Sequence, residues 1–215
     1  MSGEAAAFDY LRDPAAIYRR SFALVREATR LDGIAEEDAE LVLRLVHACA
    51  MPEIVPDIVI DGPVLRDGRA ALAAGAPVLV DCEMLAAGVI RRLLPAGNPV
   101  LCTLNDEGVA EDALVRGTTR SAAAIDRWLP RLDGAVVAIG NAPTALFRLL
   151  ELLREGAPRP AAIMAFPVGF VGAAESKQAL IGESLGIPFA ALRGRRGGSA
   201  MAAAAVNALG AGAEA

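Results

Sequence analysis

From Arg69 onward the chain alternates short apolar, β-branched runs with alanine-rich stretches of helical length, and this alternation restricts the fold more than any other feature. Parallel strands need crossover connections, so the pattern reads as a parallel sheet with intervening helices. The spacing predicts strands at Val78 to Cys82, Val100 to Leu104, Ala135 to Ile139, Ala161 to Phe166 and Pro188 to Leu192. It predicts helices at Arg69 to Ala74, Glu83 to Leu94, Thr118 to Arg131, Pro143 to Glu155, Glu175 to Leu185 and Ser199 to Leu209. Each strand is too uniformly apolar to be half exposed, so both sheet faces must be covered. The expected architecture is a three-layer α/β/α single domain, residues 1–215, with a mainly parallel sheet of about five strands. A chain of 215 residues can bury one continuous core of that kind.

Two helices precede the alternation. Asp13 as N-cap and Pro14 at the first helical position open one that runs to Thr29, with Ile17, Phe22, Leu24 and Val25 apolar and Arg19, Arg20 and Arg26 on the wet side. The second, Glu36 to Cys49, carries the only histidine. At helical spacing Leu41, Val42, Leu45, Val46 and Cys49 share one stripe, and Glu40, Arg44 and His47 lie opposite. His47 therefore faces solvent or a pocket, and periodicity does not choose between them. The segment Met51 to Gly68 shows no clear element, and the tail Gly210 to Ala215 is expected to be disordered.

Three strands end in glycine followed by a helix start: Ile139 to Thr144, Pro167 to Lys177 and Arg193 to Ser199. Ligands of open α/β sheets bind beyond the carboxyl ends of the strands, where these loops gather. The glycines also fit a plainer role in tight turns. No GxGxxG in strand–helix context, no GxxxxGK[ST] and no GxSxG is present, which argues against nucleotide binding and against a hydrolase triad. What remains is His47, Arg44 and a set of basic and hydroxyl groups at helix starts: Thr119, Arg120, Ser121, Ser176 and Lys177. Arginines and helix N-termini suit a polycarboxylate ligand, while the same groups on a surface often make only salt bridges.

The net charge of −5 and the aromatic content of 4% speak against a nucleic-acid partner. Hydrophobic residues reach 54%, yet much of this is alanine and no run is long enough for a membrane span. The first thirteen residues lack the basic start and apolar core of a signal peptide, so a cytoplasmic location is expected. Cys49, Cys82 and Cys102 are odd in number and set in apolar runs, as reduced thiols would be, and no cluster supports a protein-held metal.

The runs YRRSF at Tyr18, RLVHAC at Arg44, AGAP at Ala74, PAGN at Pro95, TRSAAA at Thr119, VVAIGNAPTAL at Val136, PVGFVGAAESK at Pro167 and RGGSAMAAAA at Arg196 resemble the precorrin-8X methylmutase family, in order and over nearly the whole chain. The resemblance implies an isomerase of cobalamin biosynthesis that moves a methyl group from C11 to C12 of precorrin-8 to give hydrogenobyrinate, or of its cobalt form to give cobyrinate. It implies no cofactor, and His47 as the proton donor that later recovers the proton. It places Ser21 and Arg44, with Thr119, Arg120, Ser176 and Lys177, at the substrate. It also implies a homodimer, with neighbouring enzymes of the cobalamin pathway among its partners. The GNAPTALF and VGFVGAAESK runs are nearer to the metal-free branch. Two departures are local: Ala35 stands where relatives offer a capping serine, with Asp32 as the nearest substitute, and Ala50-Met51 replaces a glycine-containing pair after the histidine. A non-catalytic corrinoid-binding or hand-over protein is the alternative that the same resemblance allows.

Overall fold

A computed structural model describes residues 8–183 and 185–211. The start of the chain that entered the signal-peptide reading, residues 1–7, and the tail residues 212–215 lie outside it. The elements run in the order α1 (Pro14–Ala28), α2 (Ala39–Cys49), β1 (Ile58–Asp61), α3 (Val64–Ala73), β2 (Val78–Val80), α4 (Glu83–Gly88), β3 (Val100–Cys102), α5 (Val109–Val115), α6 (Arg120–Asp126), β4 (Val136–Ile139), α7 (Pro143–Arg154), β5 (Ala162–Ala165), α8 (Ala173–Gly182), β6 (Phe189–Leu192) and α9 (Ser199–Ala211).

The sheet has six strands in the order β1-β6-β5-β4-β2-β3. β2 to β6 are parallel, and β1 pairs antiparallel with β6 through Ile58 opposite Leu192. Alternate strand residues feed two cores, as strand geometry requires. Val78, Val80, Val136, Ala138, Met164 and Leu192 pack with α2, α3, α4 and α9. Leu79, Val137, Ile139, Ile163 and Ala165 pack with α6, α7 and α8 on the other face. The three layers are therefore as the apolar runs predicted.

The sixth strand corrects the expected count. β1 is four residues long and sits between Pro56 and Gly62-Pro63, breakers that hid it in the sequence. α3 starts at Val64, ahead of the expected Arg69, and runs through Gly68, where α9 packs so closely that a Cβ would stand 2.8 Å from Leu209 Cδ1. The expected helix Glu83 to Leu94 is interrupted after Gly88: buried Asn207 accepts from the Ile90 amide at 2.8 Å and donates to the Gly88 carbonyl at 3.2 Å. α5 was not expected, and Gly210 and Ala211 belong to α9, not to a disordered tail.

The alanine content is explained by α9, which is buried over most of its length and packs against α2, α3 and α4. Small side chains let these elements approach closely. A Cβ on Gly140 at the end of β4 would stand 2.8 Å from both Ala202 Cβ and Ser199 Cα.

Candidate active site

The apolar stripe of α2 is buried through Leu41, Val42, Leu45 and Val46, and this turns His47 outward, where α1 crosses it. Asp13 caps α1 by accepting the Ala16 amide at 2.8 Å. One and a half turns on, Ser21 Oγ is 3.1 Å from His47 Nδ1. The Phe22 ring stacks on the imidazole at 4.6 Å between centroids and 20° between planes, and Tyr18 adjoins Phe22 at 4.7 Å. The Arg44 guanidinium lies 5.6 Å from the Phe22 ring, so one aromatic ring touches both candidate side chains. Glu40 fixes Arg44 from one side, accepting its Nε at 3.2 Å and Arg69 Nη2 at 2.5 Å. Ser21, Arg44 and His47 are thus brought together.

The hydrogen bond to Nδ1 leaves His47 Nε2 without a partner among the described residues. A hydroxyl either donates or accepts, so Ser21 can support either tautomer of the ring. As a proton donor the ring is an imidazolium whose Nδ1–H is accepted by Ser21; once Nε2 has given its proton, Nδ1 keeps its own and Nε2 is left as a lone pair. Such a group can give a proton and later receive one at the same atom. Beside it, a cavity of about 290 Å³ is lined by Tyr18, Arg44, Ile90, Arg92 and Leu93, a basic setting for a carboxylate. A larger cavity of about 600 Å³ runs between Arg30 and Glu53 and includes none of the predicted site residues.

The end of α2 reaches the carboxyl edge of the sheet. Residues Pro52–Asp57 form a 3-10 turn that leads into β1, the Asp57 carbonyl accepts the Arg193 amide at 2.9 Å, and the Asp57 carboxylate meets Arg196 at 2.7 Å. The return after α2 is made by Ala50 at φ +55°, the only described non-glycine residue with positive φ. Neither Ala35 nor Asp38 caps the start of this helix with a side chain, and Asp32 does not substitute.

The order of the sheet reverses between β2 and β4, the position where such folds open a crevice. Here Asp81 fills it, accepting the amides of Gly140, Asn141 and Ala142 at 2.9, 3.0 and 2.8 Å and so fixing the turn into α7. Burial pushes its carboxyl above the usual range, against the three amides that favour the ionised form. Nearby, Thr119 caps α6 by accepting the Ala122 amide at 3.1 Å and meets Thr144 Oγ1 at 2.8 Å. The Arg120 side chain is exposed and forms no hydrogen bond or ion pair with the other described residues.

Ser176 and Lys177 are placed differently: both are wholly buried beneath the loop 167–172. Ser176 Oγ donates to the Ala173 carbonyl at 3.3 Å, and Lys177 Nζ donates to the carbonyls of Pro167 at 3.0 Å and Arg196 at 2.6 Å. Burial pulls the Lys177 ammonium down to about 8. Phe22, Glu40 and Asp81 were not among the site residues expected from the sequence. A signal existed for two of them: Glu40 stands four residues before Arg44, and Asp81 is an acid at the end of an unbroken apolar strand. Among the described residues no group of three metal-ligating side chains is gathered.

A family profile for precorrin-8X methylmutases matches residues 16–211. The chain is 58% identical to a precorrin-8X methylmutase of Sinorhizobium sp, covering 94% of this chain and 96% of the relative. It is 56% identical to that of Pseudomonas aeruginosa, covering 94% and 97%, and 34% identical to a cobalt-precorrin-8 methylmutase of Priestia megaterium, covering 91% and 87%. A solved precorrin-8X methylmutase from Thermus thermophilus superposes with a TM-score of 0.83 at 37% identity, covering 91% of this chain and 94% of that one. With its sheet, its helices and nearly all of its sequence matched in this way, the chain belongs to the precorrin-8X methylmutase family.

Proposed function

We propose that the protein is an isomerase of corrin biosynthesis that converts metal-free precorrin-8X to hydrogenobyrinate, with His47 as the proton donor and acceptor. The observation that carries the reading is the hydrogen bond between Ser21 Oγ and His47 Nδ1, with Phe22 stacked on the ring and Arg44 beside it. The metal-free substrate is supported by identities of 58% and 56% to precorrin-8X enzymes, against 34% to a cobalt-precorrin-8 enzyme.

The reaction is an isomerisation, so atoms and electrons balance without a cofactor. His47 Nε2 protonates the conjugated system near ring C and creates electron demand at C12. The pair in the bond from C11 to the methyl carbon then forms the new bond to C12, and the proton returns to His47. A positioned acid contributes about 10²- to 10⁴-fold. Holding the macrocycle in a reactive shape and excluding water supply the rest. Arg44 takes one carboxylate arm of the substrate, and Thr119 and the unpaired Arg120 meet others along the rim.

The second copy of the chain belongs to the same reading. α1 buries none of its residues, and Ile17, Tyr18 and Leu24 are exposed on the helix that supplies Ser21. A homodimer would cover this face and exclude water from His47. No helix among the described residues is long and apolar enough to cross a membrane, and the three unpaired cysteines suit the reducing cytoplasm. The test is to follow the visible spectrum while the protein meets precorrin-8X or its cobalt form. Turnover of the metal-free compound with the higher kcat/KM is expected. Tight binding of hydrogenobyrinate without any turnover would instead mark a hand-over protein.

A further inference from the structure

An ammonium group withdrawn from water must replace its lost hydration with acceptors, and a buried lysine therefore shows what it holds. Lys177, in the second turn of α8, has its side chain wholly buried and finds two acceptors that belong to different loops. Pro167 follows β5, and Arg196 follows β6. Two backbone bonds run alongside the ammonium: the Gly169 amide donates to the Arg195 carbonyl at 3.1 Å, and the Gly198 amide donates to the Phe166 carbonyl at 2.8 Å. Between them Gly197 adopts φ +156°, and a Cβ there would stand 2.3 Å from the Phe166 carbonyl oxygen. The loops are therefore in direct contact, with no room for a side chain at Gly197.

Among the described residues no carboxylate accompanies Lys177, and its charge is met by carbonyl dipoles. The contacts it makes lie under the loops. Above them the Arg195 guanidinium stands 5.1 Å from the Phe170 ring, a second link between the same two segments, with Phe170 85% exposed. An exposed ring face beside a cation suits a flat conjugated ligand with carboxylate arms.

We propose that Lys177 is a positioning residue: it ties loops 167–172 and 193–198 into one rigid wall at the carboxyl edge of the sheet, and thereby sets where Phe170 and Arg195 meet the macrocycle. The last clause rests on the isomerase reading, whereas the clamp does not. Lys177 would act on substrate binding through the loops, without touching the substrate.

The test uses the full chain with K177M and K177R, read in two ways. Without ligand, hydrogen exchange followed by mass spectrometry should show protection in both loops of K177M falling together by about tenfold or more, while β4 and α7 keep theirs. With precorrin-8X, KM should rise about tenfold while kcat stays within about threefold of wild type, and K177R, which can still donate to both carbonyls, should recover most of the loss. Loosening of one loop alone, unchanged exchange in both, or a fall in kcat at unchanged KM overturns the proposal. If wild type turns over no precorrin-8X, the isomerase reading fails, and the exchange data still decide the clamp. If K177M does not fold, the wild type answers: the Gly169 and Gly198 amides exchange with protection matched within about tenfold if the loops open as one unit, and a larger difference overturns it.

Discussion

Ala50 holds a left-handed conformation three residues after His47, at φ +55°, because α2 must turn back at once toward β1. An L-residue there costs about 1–2 kcal/mol that glycine does not, and the greater freedom of glycine in the unfolded chain takes back about 0.4–1 kcal/mol, so A50G should raise stability by roughly 0.5–1 kcal/mol in urea unfolding. At Ser21 the consequence is kinetic. S21A removes the bond to His47 Nδ1 and frees the ring to take the wrong tautomer, and kcat should fall about 5- to 30-fold, the worth of a 1–2 kcal/mol hydrogen bond, with the fold intact. Helical spacing put His47 and Arg44 opposite a buried stripe, and the family resemblance, not the spacing, made them site candidates. Phe22 was not legible as one, because periodicity within α2 says nothing about which helix crosses it. Ser176 and Lys177 were legible as a motif, but their burial follows from the course of two distant loops, which local sequence does not encode.

Element by element, the parallel strands could be read because they are apolar on both faces, and β1 could not, since a short edge strand between prolines carries no such pattern. The break in the helix after Gly88 was hidden for a similar reason: it depends on Asn207, more than a hundred residues away. The two buried charges, Asp81 and Lys177, hold the loops that the glycine-ended strands feed. For Lys177 this has a pH signature. Its folded value is about 8 against 10.5 unfolded, so between these values the unfolded chain binds more protons and stability gains with rising pH. Below about 8 both states are protonated and the cost of burying the charge is constant. The stability of wild type relative to K177M should therefore rise from pH 8 to 10, as measured by denaturant midpoints; a flat difference would mean that the ammonium is not held out of water.

At the scale of the whole molecule, the acidic chain concentrates basic side chains where α1, α2 and the loop edge meet, and leaves the apolar face of α1 open beside them. If a second copy covers that face, an I17E/L24E double variant should sediment as a monomer where the wild type sediments as a dimer, and its turnover should fall with the loss of the closed site. The sequence reads as a precorrin-8X methylmutase along nearly its full length, and the structure gives a physical basis for the role proposed for its single histidine. That role is tested most directly by incubating precorrin-8X with wild-type protein and with a folded H47A variant and recording the visible spectrum. The account predicts conversion to the hydrogenobyrinate spectrum by wild type and a rate lower by about 10²-fold or more for H47A. Equal rates would contradict it and leave the proton transfer to some other group.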